Sequence, residues 1–343
     1  MSDRVRISIN EANVLVSSAF TANGVPADTA ASVARALVGA EAEGQSGHGF
    51  SRIDDYVAQV LSGKINGTAK PNTTNLAPSS LLTDAGFGFA YPALEQAVAR
   101  GADIANAQGV ATMAVTNSHH CGALSQHVET LAEQGLVAMM FANAPAAMAP
   151  WGSSKPVFGT NPIAFAAPRA HTSPLIIDLS LSRVARGKVM HAAKSGSPIP
   201  HDWALDANGH PTTDPQEALE GTMVPIGEAK GTSLALMVEI LAALLTGAAM
   251  SREASSFFTA DGPAPRVGQF LIALKPHEQS GFAERLEELL TTINDLDGAR
   301  LPGERRAASI KTAHQHGLYV PRHYIRRVQA LAGEELRVAG GLQ

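Results

Sequence analysis

Cysteine is almost missing from this sequence: Cys121 is the single thiol among 343 residues. One thiol excludes an intrachain disulfide and any cysteine-built zinc cluster, and it suits a reducing compartment. Clustered positive charge is missing too. The 26 Lys and Arg are scattered among 31 Asp and Glu, for a formal charge of −5, so no basic face offers itself to nucleic acid and no polybasic patch to a membrane. Long apolar runs are also absent. The opening MSDRVRISINEA carries no signal-peptide core, and no segment reaches the length of a membrane span. A cytoplasmic protein whose partner is a small molecule is expected. The last absence is the Gly-x-Gly-x-x-Gly run that marks the usual dinucleotide turn. Gly86-Phe87-Gly88 is the nearest fragment and lacks the third glycine, so any dinucleotide must have its phosphates held by other means.

What is present is ordinary globular composition, 45% hydrophobic and 17% charged, enough for one large or two to three modest domains. Ser8-Ile9-Asn10-Glu11 reads as a capping box before an apolar-periodic helix that Asn23-Gly24 closes. A second helix starts at Pro26 and ends before Gly44. Gly109 to Thr116 and Leu136 to Ala142 read as buried strands with a helix between them, a βαβ-like unit. Pro174 to Leu181 and Gly268 to Leu274 read as further strands. The nearly all-apolar helix from Lys230 to about Thr246 is expected in the interior or at a subunit contact. Ser280 to Leu296 and Pro321 to Gly333 are helical by period. The Pro- and Gly-rich stretches 144–168 and 195–227 are long enough to be functional loops.

Five short elements carry candidate chemistry. His48 sits between Gly47 and Gly49, with Arg52 one helical turn on, a pairing that supplies a proton and a clamp for a carboxylate. His119-His120-Cys121-Gly122 ends a strand and precedes a helix, where ligands favour α/β folds. A zinc site there would need a third ligand from elsewhere, because adjacent histidines point apart; no metal is expected. Asp178-Leu179-Ser180 places a carboxylate at a strand end, where a ribose is commonly gripped. Lys230 opens the apolar helix and suits an anionic phosphate. Arg305 and Arg306 follow the Pro302-Gly303 turn and suit either a phosphate or a surface ion pair.

In order and wording these elements resemble the malate/L-lactate dehydrogenase family along nearly the whole chain. The shared succession is His48-Gly49-Phe50-Ser51-Arg52, Asn117-Ser118-His119-His120, Gly159-Thr160-Asn161-Pro162, Asp178, Arg186-Gly187-Lys188, Trp203 to Asp206, Pro211 to Pro215, Lys230-Gly231 and Leu301 to Arg306. The resemblance implies an α/β fold with a non-Rossmann NAD(P)-binding domain on a mixed sheet, plus a helical domain built from both chain ends. The matching division is 1–75, 76–265 and 266–343. It implies a homodimer and an NAD(P)-dependent oxidoreductase, with NADP(H) as the cofactor and NAD(H) as the alternative. It also implies roles: His48 or His120 transfers the proton, and Arg52 and Thr160 contact substrate. His120, Cys121, Gly122, Ala123 and Leu124 line the cofactor together with Asp178, Leu179 and Ser180. Lys230, Glu304, Arg305 and Arg306 reach its ribose or phosphates.

Within the family, the double histidine and the phrases around 132–138 and 165–169 are most similar to the Δ1-piperideine-2-carboxylate/Δ1-pyrroline-2-carboxylate reductases, which implies NADPH-dependent reduction of a cyclic 2-imino acid to L-pipecolate or L-proline. Two positions depart from that pattern. Gly47 and Lys188 stand where those reductases have a serine and an aspartate that form a relay. The wording from Trp203 to Pro215 and at Gly268-Gln269-Phe270 is shared with sulfolactate dehydrogenases, so a 2-hydroxy-acid dehydrogenase of sulfolactate, malate, lactate or ureidoglycolate type is the alternative. The monocarboxylate imine is expected over a dianionic oxo acid because Arg52 alone pairs with one charge; Arg169, Arg183 and Lys188 are the cations that could pair with a second.

Overall fold

The computed structural model describes residues 3–333. In chain order the first elements are β1 (Arg4–Ile7), α1 (Ile9–Ala22), α2 (Ala27–Ala42), α3 (Ile53–Leu61), β2 (Asn72–Ala77), β3 (Ser80–Asp84) and α4 (Ala90–Gln108). Next come β4 (Val110–Ser118), α5 (Leu124–Ala132), β5 (Val137–Ala142), β6 (Ile163–Ala167), β7 (Leu175–Leu179) and α6 (Arg186–Ser195). They are followed by β8 (Ala204–Leu205), α7 (Pro215–Glu220), β9 (Thr222–Met223), α8 (Ala229–Glu239) and β10 (Val267–Leu274). The last are α9 (Phe282–Asn294), α10 (Glu304–His316), β11 (Leu318–Pro321) and α11 (Arg322–Leu331).

A helical layer unites the two chain ends. Ser8 caps α1 reciprocally: its hydroxyl accepts from the Glu11 N–H at 3.2 Å, and the Glu11 carboxylate accepts from the Ser8 N–H at 3.0 Å. Pro26 precedes α2, as its fixed φ favours. β1 pairs antiparallel with β11. Phe20, Leu37, Ile53 and Tyr56 then share one buried cluster with Leu318, Val320 and Val328.

The central element is a seven-stranded mixed sheet in the order β2-β3-β4-β10-β5-β6-β7. Only β3 and β4 pair in parallel; the other neighbours are antiparallel. The βαβ reading of β4-α5-β5 therefore needs a correction, because β10 lies between the two strands and bonds to both. For the same reason β10, the first strand of the 266–343 segment, belongs to the central sheet and not to the helical layer. Gln269, Leu271 and Ala273 are fully buried in it. The sheet's long covering helix, α4, approaches β4 closely at Gly101, where a Cβ would sit 2.1 Å from the Met113 sulfur. The stretch 144–168 is also less irregular than expected, since it contains β6.

The apolar helix starts as expected and is interior on one face only. α8 passes into a π-helical turn at Ile240–Leu244; Ala235, Val238 and Ala242 are fully buried in a core cluster, while Leu234, Leu236, Met237, Ile240, Leu244 and Leu245 are exposed. Among the described residues no helix is long and apolar enough to cross a membrane.

α10 is fastened to the rest by charge. The Arg306 guanidinium donates to Glu43 at 3.0 Å and also to Glu129, joining α10 to the end of α2 and to α5. Glu43 is buried at 7% exposure and also accepts from the Ser125 hydroxyl at 2.6 Å. Of the two meanings open to the arginine pair, Arg306 takes the ion pair, and the exposed Arg305 is left facing solvent. Removing one partner of a buried pair strands the other charge, which costs about 3–5 kcal/mol. Arg306→Met should therefore lower stability to urea by roughly that amount, and adding Glu43→Gln should recover part of the loss. A midpoint equal to the parent's would show that the triad stabilises nothing.

Candidate active site

His48 lies in a tight turn, Ser46–His48, that leads through Gly49 into a second turn and α3. Gly49 leaves room for a neighbour: a Cβ there would displace the Glu41 carboxylate, whose oxygen accepts from the Phe50 N–H. Arg52 is buried at 9% exposure, and its Nε donates to the Gly47 carbonyl at 2.6 Å. The same guanidinium stands 4.4 Å above the Phe258 ring, and its nearest carboxylate, Asp55, is 3.8 Å away. The turn that bears His48 is thus held by the arginine expected to work beside it.

The two histidines that sequence left as rivals meet. His48 Nδ1 is 3.2 Å from His120 Nε2, with the rings stacked 22° apart. On its other side His120 Nδ1 is 2.6 Å from the Tyr56 hydroxyl, and that hydroxyl is 3.1 Å from the hydroxyl of Tyr91. His119 turns away: its Nε2 donates to Gln59 Oε1 at 2.9 Å in the core. All three imidazoles are held neutral. Burial and then the charge of Arg52 push His48 down to about 4. Burial, with Lys64 and Arg52 behind it, takes His119 to about 3. His120 falls well below its ordinary value through burial first, then His48 and Arg52. Among the described residues no three His, Cys, Asp or Glu side chains are placed to hold a metal ion.

One wall of the site comes from a segment the sequence reading passed over. Phe257 packs on His119 and His120 at ring separations of 5.2 and 5.1 Å. α3 and the turn after it grip this loop. Gln59 donates to the Phe257 carbonyl at 2.8 Å, and the buried Lys64 ammonium donates to the carbonyls of Ser256, Thr259 and Asp261 at 2.7, 2.9 and 2.9 Å. Three donors on one ammonium match three carbonyls.

The strip expected to bind cofactor is assembled at the ends of β4, β7 and the start of α8. Gly122 has φ +69° and approaches Tyr91 so closely that a Cβ would lie 2.9 Å from its hydroxyl. Ala123 then opens α5 with no side-chain cap, while the Ser125 N–H donates to Asp178 at 2.9 Å. Burial raises Asp178, and that N–H opposes the rise. Burial pushes the Cys121 thiol up to about 12, so it is no nucleophile at neutral pH. The Leu181 N–H donates to the Thr160 carbonyl and its carbonyl accepts from Ile226, both at 2.8 Å. These bonds bring Thr160, Asp178 to Ser180 and the turn before Lys230 together. The neighbour of Thr160, Asn161, is anchored by its amide on Glu239 at 2.9 Å. Lys230 is exposed in the first turn of α8, which also has no side-chain cap. Gly303, at the head of α10, abuts the Ile176 carbonyl of β7, with Glu304 and Arg305 exposed beside it. The first turn of α5 already has the Asp178 carboxylate on its Ser125 N–H; Lys230 and Arg305 are exposed cations, each in the first turn of a helix, of the kind that suits a phosphate.

Two of the cations considered for a second substrate charge are engaged elsewhere. Arg169 forms a two-pronged pair with Glu287, both bonds 2.7 Å, and Arg183 pairs with Asp202 at 2.8 Å. Lys188 is exposed on α6 and has no ion pair among the described residues.

Known proteins agree with this layout. The family model described as malate/L-lactate dehydrogenase matches residues 7–329. A (2R)-3-sulfolactate dehydrogenase (NADP(+)) of Chromohalobacter salexigens is 48% identical over 327 residues, 95% of this chain and 98% of that one. A Δ1-pyrroline-2-carboxylate/Δ1-piperideine-2-carboxylate reductase of Pseudomonas putida is 38% identical over 334 residues, 96% of this chain and 97% of that one. The crystal structure of the Δ1-piperideine-2-carboxylate reductase from Pseudomonas syringae superposes with a TM-score of 0.90 at 37% identity, covering 95% of this chain and 99% of that one. On the family match and on these relatives, the chain belongs to the malate/L-lactate dehydrogenase family.

Proposed function

We propose that this protein is an NADP(H)-dependent oxidoreductase of a small 2-oxo acid and its 2-hydroxy acid, with 3-sulfopyruvate and (2R)-3-sulfolactate as the pair of first choice. The observation that carries the oxidoreductase reading is the His48–His120 contact beside the buried, weakly paired Arg52. Two features support the sulfonate. One is the 48% identical relative named for sulfolactate and NADP(+). The other is Lys188, exposed on α6 and without an ion pair among the described residues, which, unlike Arg169 and Arg183, is left available for a second substrate charge. Cyclic 2-imino acids remain the second reading, supported by the 38% identical reductase and by the fold match.

Arg52 clamps the substrate carboxylate in a charge-assisted pair and fixes C2 in place. Phe257 and Phe258 shield that pair from water. His48 delivers the proton to the forming alkoxide, or takes it back from the alcohol in oxidation. NADPH, when bound, supplies the hydride. Lys230 and Arg305 would hold its phosphates, and Asp178 would accept from a ribose hydroxyl.

Arg52 also sets when His48 is charged. In the free enzyme its guanidinium helps keep His48 down near 4. A bound carboxylate cancels that charge, so the histidine's value rises in the complex. The complex then holds more protons than the free enzyme in the window above about 4, and affinity for a carboxylate strengthens as pH falls through that window.

Three measurements test these assignments. Steady-state kcat/KM with NADPH should be higher for 3-sulfopyruvate than for Δ1-piperideine-2-carboxylate; the opposite order would give the protein to the imines. Oxamate binding to the NADPH complex, titrated in two buffers of different ionisation enthalpy, should take up protons. His48→Ala should abolish that uptake and lower kcat about a hundredfold or more, and undiminished turnover would remove His48 from the chemistry. Lys230→Met with Arg305→Met should raise the NADPH KM and flatten its salt dependence while leaving the oxo-acid KM within about twofold, since exposed phosphate contacts are screened by salt. A change confined to the oxo-acid term would reassign both cations.

A further inference from the structure

We propose that Tyr56 is a positioning residue for proton transfer: its hydroxyl lets His120 exchange tautomers, so that His48 is charged when it delivers a proton and neutral otherwise. This rests on His48 being the proton-transfer group. The line of contacts is continuous, from His48 Nδ1 to His120 Nε2 at 3.2 Å, from His120 Nδ1 to the Tyr56 oxygen at 2.6 Å, and on to the Tyr91 oxygen at 3.1 Å. Each gap holds one hydrogen. Tyr56 and Tyr91 are fully buried, at 0 and 1% exposure, and burial holds both phenols protonated.

Hydrogen counting then fixes two states. Among the described residues the Tyr91 hydroxyl has one hydrogen-bond partner, Tyr56. In the neutral state Tyr91 donates to Tyr56, Tyr56 to His120 Nδ1, and His120 Nε2–H to His48 Nδ1. His48 then presents Nε2–H to the substrate side, and every donor in the line has an acceptor. A charged His48 carries hydrogen on Nδ1 as well, so His120 Nε2 must be bare and its hydrogen must sit on Nδ1. The Tyr56 oxygen accepts that hydrogen, and the Tyr56 O–H turns to Tyr91. The charged state holds one more proton than the neutral one, taken from solvent, and both phenols stay intact. After His48 gives its Nε2 proton to the alkoxide, the count returns to the neutral total.

Phenylalanine at 56 keeps the ring and removes the acceptor. A buried His120 Nδ1–H would then be unpaired, the costlier of the two ways to leave that nitrogen. His120 stays in the Nε2–H form, which faces His48 Nδ1 and opposes its protonation. Tyr91→Phe leaves the His120 acceptor in place: in the charged state the one hydroxyl hydrogen without an acceptor is then that of Tyr56 instead of that of Tyr91, so both tautomers stay available.

The test uses the full enzyme with 15N-labelled histidine, the His120 signals being assigned from their loss in His120→Asn. In the wild type, His120 should read as Nε2–H when free and as Nδ1–H in the NADPH–oxamate complex. In Tyr56→Phe it should read Nε2–H in both, proton uptake on oxamate binding should disappear, and kcat with 3-sulfopyruvate should fall about tenfold or more, while KM for NADPH and for the oxo acid stays within twofold. Tyr91→Phe should keep both tautomers, the proton uptake and a kcat within about threefold of wild type. One tautomer in both wild-type samples, or wild-type uptake and kcat in Tyr56→Phe, would overturn the role given to Tyr56 and leave His48 in place. Full turnover in His48→Ala would remove both. If Tyr56→Phe does not fold, the two wild-type spectra decide alone.

Discussion

A guanidinium buried beside neutral imidazoles is the constraint on which the rest of the site depends. Among the described residues Arg52 has one carboxylate within ion-pair range, Asp55 at 3.8 Å; its other partners are the Gly47 carbonyl and the Phe258 face. A buried cation so weakly neutralised is costly to the fold. The cost is useful, because the missing negative charge is one that a substrate carboxylate can bring. Burial first, and the Arg52 charge after it, hold His48 neutral; His120 is held so by burial and then by His48 and Arg52. Under the proposed function a bound carboxylate would offset the arginine's share, linking affinity and orientation to proton loading.

The fold serves this constraint by fixing both sides of the arginine. Backbone turns place His48 and Arg52 on the helical layer, while His120 comes from the end of β4 on the central sheet. The insertion of β10 between β4 and β5 helps hold that strand end: Gln269 on β10 donates to the His119 carbonyl at 3.2 Å. The aromatic loop is held by Gln59 and Lys64 rather than by packing alone. Hydrogen bonds of this kind locate a wall more narrowly than apolar contact does, since each has a direction as well as a distance.

Legibility in the sequence followed the range of the interactions. The capping box at Ser8, the start of α2 at Pro26 and the strands at β5, β7 and β10 are local signals, and each was readable. The position of β10 in the sheet was not, because strand order depends on contacts distant in sequence. His48 and His120 could be named separately, but nothing in their spacing says that residues 72 apart touch. Tyr56 carried a faint signal, one helical turn after Arg52 on the same face; Tyr91, Phe257 and Lys64 carried none. Arg306 was ambiguous in a more instructive way. A guanidinium after a tight turn suits phosphate or carboxylate equally, and only the arrival of Glu43 and Glu129 from other elements decides between them.

The dyad explains how a 2-oxo acid and a cyclic 2-imino acid come to be handled by relatives of one architecture. Both substrates present a carboxylate one bond from an electrophilic carbon, and both need a proton on the atom doubly bonded to it. In the proposed reading Arg52, His48 and His120 would meet those needs without distinguishing oxygen from nitrogen. Discrimination must therefore lie in what surrounds the remainder of the substrate. A ring asks for apolar contact, whereas a sulfonate asks for a cation, since burying it unpaired would cost several kcal/mol. In the proposed reading a cation set there would attract the sulfonate that an aspartate would repel. Specificity would then be separable from catalysis: the proton machinery could stay constant while a charge outside it selected the substrate.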